Sequence, residues 1–198
     1  MLGQAKKSKV VVRKSRRNPR IRHDGNREWI TDIEAINAAG EAIPPFVILK
    51  GKSYHIVGWH AGVQPDEEVR FAFSPKGWSD DVLGLTWLVE NSQPQAQMFA
   101  SLYAPLLFIL DVHGSHGTWD FLSYYLKNNI LVFCLPPHST QLLQPLDIGI
   151  FGPLNRAYAD EVDAYVRESY DIVRKGNFWP FLRNARNKAF TKSNIMGA

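Results

Sequence analysis

The chain has 198 residues, 45% of them hydrophobic and 21% charged, with a formal net charge of +4. That balance suits one globular domain with a real core and excludes a disordered or collagen-like polymer. No apolar run reaches the roughly 20 residues that cross a bilayer, no apolar segment follows the basic N-terminus as in a secretory signal, and a single cysteine, Cys134, excludes both a disulfide framework and a cysteine-rich zinc site.

The charge is unevenly placed. Residues 1–27 carry ten Lys/Arg against one acid, Asp24, while the remainder carries thirteen against eighteen, a net of −5. A basic arm on an acidic body is the pattern of a chain that meets a polyanion locally; a solvated arm or a nuclear-localisation tract fits the same charges. We therefore set residues 1–26 apart as an arm, whose one short apolar run is Val10-Val11-Val12, and 27–198 as the folded domain.

From Trp29 the pattern becomes that of a strand, with Trp29, Thr31, Ile33 and Ala35 on one face and Ile30, Asp32, Glu34 and Ile36 on the other. Asn37-Ala38-Ala39-Gly40 is a turn signal, and Ile43–Lys50 reads as a second strand, antiparallel to the first. Residues 51–78 show no sustained period and are expected to be loops with short pieces of structure. A helix is expected after Gly77-Trp78, with Ser79 as N-cap and Asp80 and Asp81 facing the positive end of the helix dipole.

Leu106–Leu110 is a continuous apolar run, as expected of a strand buried on both faces. A His113-Gly114-Ser115-His116-Gly117 turn leads to a helix from Thr118 or Trp119 to about Asn128. Ile130–Leu135 is a further buried strand, which places Cys134 in the core as a small apolar residue and the protein in a reducing compartment, cytosol or nucleus. A long helix is expected from about Pro153 to Glu168, and an amphipathic one from Phe178 to Thr191. Alternating strands and helices favour an α/β fold with a mixed sheet and flanking helices, the 106–110 and 130–135 strands being parallel neighbours joined by a crossover.

Two carboxylates stand where such a fold gathers chemistry. Asp111 follows a strand directly, at the carboxyl end where sheets build their sites; a divalent cation would satisfy it, and so would the backbone amides of the Gly-Ser turn. Asp147 ends the loop that feeds the long helix, where an N-cap or first-turn role also fits. Parallel neighbouring strands open their following loops onto one cleft, and two carboxylates there make a hard-oxygen site suited to Mg2+. His113, His116 and His138 are candidates for shaping this cleft, with no soft-ligand pair to make a zinc site. Lys50 and Lys52 lie at a strand end, in reach of phosphate or simply solvated. In the arm, Lys6, Lys7, Lys9, Arg13, Lys14, Arg16, Arg17, Arg20 and Arg22 would give salt-sensitive contact with nucleic-acid phosphate.

LDVHGSH at 110–116 and LPPHSTQLLQPLDIGIFGPL at 135–154 resemble the DDE superfamily endonuclease domain of pogo/Tigger-like, mariner-type transposases. NREWIT at 26–31, PPFVILKGK at 44–52, GW at 77–78, GNF at 176–178 and AR-x-KAF at 185–190 are similar to it as well. The resemblance implies an RNase H-like fold, a nuclear DNA-binding protein, and phosphodiester cleavage and strand transfer on two Mg2+ (or Mn2+) ions. It implies no small-molecule cofactor and no membrane, and it allows a homodimer. By motif, Asp111 and Asp147 match the second and third catalytic acids, separated by 35 residues. The family's first acid lies in an Asn-x-Asp-Glu strand that has no counterpart here; neither Asp24 nor Asp32 sits in that motif. By this reading the chain is a fragment or decayed copy without its first strand, silent as a nuclease by itself. A DNA-binding or protein-interaction remnant of a domesticated element is the alternative.

Overall fold

The computed structural model describes residues 29–51, 58–59, 62–92, 94, 105–110, 118–136, 139–169 and 173–198. They form a mixed α/β fold, consistent with the RNase H-like arrangement of small sheets and flanking helices.

β1 (Ile30–Ile33) and β2 (Phe46–Lys50) pair antiparallel, Ile30 opposite Leu49 and Ile33 opposite Phe46. The turn between them is built by Asn37, whose Oδ1 accepts from the amides of Ala39 and Glu41 at 3.0 and 2.9 Å. This is the local side-chain bonding that suits Asn to turns. β3 (Arg70–Ser74) then adds in parallel to the other edge of β2. The sequence pattern does not single this strand out, since its alternation Phe71-Ala72-Phe73 is too short to stand apart from the irregular stretch before it.

β2 is the central strand of this three-stranded sheet, and its alternating side chains serve two cores. Val47 and Leu49 face Trp59, Leu154, Trp179 and Leu182; Phe46 and Ile48 face Trp87, Leu88, Phe121, Tyr125 and Ile130. The first core is closed by two long helices that pack on each other, α4 (Phe151–Ser169) and α5 (Lys175–Ala189). Phe178, Phe181, Leu182, Ala185 and Ala189 recur at helical spacing along the buried side of α5. The second core is closed by α1 (Asp81–Thr86), which runs on as a π-helical turn, Trp87–Ser92, and by α2 (Trp119–Lys127).

Several boundaries differ from the sequence expectation. The cap of α1 is Asp80, whose carboxylate accepts from the Leu83 amide at 2.9 Å, rather than Ser79; Asp81 is already in the first turn. α4 starts at Phe151 rather than Pro153, because helical backbone already runs into it from the preceding Leu146–Ile150 turn. The C-terminal helix is two: α5 ends where Phe190 leaves helical geometry, and Thr191 caps the short α6 (Lys192–Met196) by accepting from the Asn194 amide.

The second sheet pairs β4 (Leu106–Leu110) with β5 (Ile130–Cys134) in parallel, Leu106 opposite Ile130 and Leu110 opposite Cys134. The turn into β5 is made by Asn129 at φ 55°, a conformation that asparagine tolerates better than most residues. The expectation of burial on both faces is not met. Leu106, Phe108 and Val132 pack into the second core, but Leu107 (62%), Ile109 (52%), Leu131 (56%) and Phe133 (56%) are exposed on the opposite face. Cys134 is likewise exposed on the last rung of β5 instead of lying in the core. A continuous apolar run registers hydrophobicity but not which neighbour covers which face.

Candidate metal and nucleic-acid site

β4 and β5 run side by side and stop on the same rung, where the Leu135 amide donates to the Leu110 carbonyl at 2.8 Å. The two strands therefore end on the same side of the sheet, the end at which the sequence places Asp111. Asp111, His113, His116 and His138 lie outside the described residues, as do Lys52 and the whole arm from Lys6 to Arg22.

Asp147 is described. After the short helix α3 (Thr140–Leu143), Pro145 opens a π-helical turn, Leu146–Ile150, that passes directly into α4. Asp147 lies in the first turn of this segment with its side chain exposed, and its amide donates to the Gln144 carbonyl at 3.1 Å. The π turn is held from behind. Ile150 is fully buried, and a Cβ on Gly149 would meet the Cβ of Ala198 at 2.5 Å, so the C-terminal segment packs against it. Single π turns inside helices recur at functional sites; nothing in the apolar periodicity of this segment announces one.

Asp147 offers an exposed carboxylate oxygen, the type of ligand that Mg2+ or Mn2+ takes. Among the described residues, no three His, Cys, Asp or Glu side chains are grouped to hold a metal.

Other polar groups are concentrated elsewhere. Asp32 on β1 and Glu34, just past its end, both lie near Arg186 of α5, Glu34 buried and Asp32 half-buried. Glu34 is paired with Arg186, while one Asp32 carboxylate oxygen is buried without a hydrogen-bond partner. Burial, with the neighbouring Glu34 charge added to it, holds the Asp32 carboxyl well above the usual carboxylate range. Asp32 thus carries a carboxylate oxygen buried inside the fold. Sequence reasoning missed this cluster, although two acids on the core-facing side of a strand signal a buried partner.

It also missed an aromatic pair. Trp29 and Trp78 stack with ring centroids 4.5 Å apart and planes at 23°, at the end of the sheet where Lys50 closes β2. The GW dipeptide at 77–78 is visible in sequence, but its partner across the sheet is not.

The family model described as DDE superfamily endonuclease matches residues 26–198. A curated relative, the MFS-type transporter clz9 of Cochliobolus lunatus, is 36% identical over 199 residues, covering 98% of this chain and 21% of the relative. The chain thus spans about one fifth of the length of the curated relative it matches. Among the described residues, no helix is long and apolar enough to cross a membrane. No solved structure matches the chain. With its match covering residues 26–198, the chain belongs to the DDE superfamily endonuclease family.

Proposed function

We propose that the chain is a pogo/Tigger-like nuclease domain, working in the nucleus, in which Asp111 and Asp147 hold a divalent cation against DNA phosphate. The observation that carries this reading is the parallel β4–β5 pair, whose strands end together beside the position of Asp111. The exposed carboxylate of Asp147 supports it. A bound Mg2+ or Mn2+ supplies Lewis-acid polarisation of the phosphodiester and an activated water or hydroxyl nucleophile. The two aspartates supply the compensating negative charge and fix the cation's place. His113, His116 and His138, near the two acids in the sequence, would shape the cleft and orient the phosphate.

Residues 1–26 form a basic arm ahead of the catalytic domain, 27–198. Its lysines and arginines grip phosphates without reading bases, so each contact displaces counterions and makes binding fall with salt. No Asn-x-Asp-Glu segment occurs among the 198 residues, and with two carboxylates in matched motifs we expect this chain by itself to bind DNA and cation without cutting.

Binding of a labelled duplex, measured by fluorescence anisotropy from low to high salt, tests the reading. Affinity should fall steeply with salt. Replacing Lys6, Lys7 and Lys9 by alanine should make the slope shallower by about one per lysine that contacts phosphate. Salt-independent binding, or none, would count against DNA as the partner.

A further inference from the structure

Trp29 and Trp78 are large apolar side chains that the fold leaves outside both of its cores. They are 39% and 54% exposed, although stacking already hides one face of each ring. The pair is also held in place. Gly77, at φ 78°, turns the chain so tightly against β1 that a Cβ there would sit 2.6 Å from the Trp29 carbonyl oxygen. The Thr31 hydroxyl donates to the Gly77 carbonyl at 2.7 Å. The Gly77 and Gly51 amides both donate to the Ser74 carbonyl, at 3.2 and 2.9 Å. The ends of β2 and β3 and the start of β1 are thereby knotted together beneath the two rings, which costs a ligand little further ordering.

The charges nearby complete the surface. Lys50 is exposed at the end of β2, its Cβ 3.4 Å from where a Gly77 Cβ would lie, and Lys76 is exposed two residues before Trp78. The carboxylate of Asp80 is occupied with the Leu83 amide at the start of α1, while Asp81 is exposed in the first turn. An open aromatic face flanked by flexible ammonium groups is the arrangement that captures a base and its phosphates from a single strand, because every base has a π face and stacking is indifferent to sequence.

We propose that the outer face of the Trp29–Trp78 stack receives an unpaired nucleobase of DNA, with Lys50 and Lys76 contacting the flanking phosphates. The inference rests on the DNA-binding reading above and adds to it a preference for single-stranded or locally opened substrate.

The test uses the full chain, a fluorescein-labelled single-stranded oligonucleotide of mixed sequence, and the same sequence as a duplex. Trp78→Ala should weaken single-strand binding roughly tenfold or more, the effect of losing one stacked base, and leave duplex binding within about twofold. Trp78→Phe keeps a stacking face and should recover most of the lost affinity. Lys50→Ala combined with Lys76→Ala should make the salt dependence of single-strand binding shallower. Equal single-strand binding by wild type and Trp78→Ala, with duplex binding intact, overturns this inference alone. A recovery by Trp78→Phe no better than by Trp78→Ala overturns it too. Absence of binding to either DNA by the wild type removes the DNA-binding reading and this inference with it.

Discussion

Arg186 on α5 grips the fully buried carboxylate of Glu34, the residue that follows β1, through two hydrogen bonds, Nε to Oε1 at 2.6 Å and Nη2 to Oε2 at 2.8 Å. Nη2 also donates to the Ile43 carbonyl at 3.0 Å, and the guanidinium lies 4.7 Å from the centroid of the Phe190 ring. One side chain thus ties the first strand, the segment before β2 and the end of α5 together. Removing it leaves a buried charge with no counter-charge. Arg186→Met should cost about 3–5 kcal/mol, whereas the double variant with Glu34→Leu should recover most of that loss. Urea unfolding midpoints of the two variants check the difference.

Asp32, next to this pair, gives stability an unusual pH dependence. Its folded-state carboxyl is held well above the ordinary value, by burial first and by Glu34 second, against the lowering effect of Arg186. The folded protein therefore binds a proton that the unfolded chain has released at any pH between the ordinary aspartate value, about 4, and the raised folded one. Stability from this group is complete below about pH 4 and is lost as pH rises through that window. Asp32→Asn, which keeps shape and hydrogen bonding without a titrating proton, should be more stable than wild type at pH 7 and show little gain near pH 4. Thermal unfolding across pH decides this; a constant difference would mean that Asp32 does not titrate as argued.

Gly77 predicts a local backbone effect. At φ 78°, alanine would incur about 1–2 kcal/mol from the left-handed backbone alone, and its Cβ would collide with the Trp29 carbonyl at 2.6 Å. Gly77→Ala should lower the unfolding midpoint by at least that much. It should also change the near-ultraviolet circular dichroism by displacing the stacked tryptophans.

The two sheets should respond differently to truncation. Ile48, fully buried at the meeting of β2 with the second core, should cost about 2–5 kcal/mol as Ile48→Ala. Leu107, 62% exposed on the open face of β4, should shift stability by no more than about 0.5 kcal/mol as Leu107→Thr. Denaturant titrations of the two variants make the comparison.

These contrasts mark how far the residues themselves can be read. β1, β2, their Asn37 turn and the β4–α2–β5 unit follow from local pattern, because alternation, turn chemistry and apolar runs are properties of neighbours in sequence. The exposure of Leu107 and Phe133, the burial of Asp32 and the Trp29–Trp78 stack depend on which distant element covers a face, and no window of ten residues carries that. β3 was hidden for a related reason: Phe71 and Phe73 acquire their meaning from β2 and from Trp179, against which Phe71 packs edge-on at 6.2 Å. At the candidate site, motif resemblance located Asp147 but not the π turn that bears it, where Gly149 lies close against Ala198.

Mn2+ binding, followed through the electron paramagnetic resonance signal of the free ion during titration, tests most directly whether Asp111 and Asp147 share a cation. Wild type should bind Mn2+ saturably, and Asp111→Asn or Asp147→Asn should each weaken that binding at least tenfold with the unfolding midpoint unchanged. Binding in either variant as tight as in wild type would contradict a common site for the two acids.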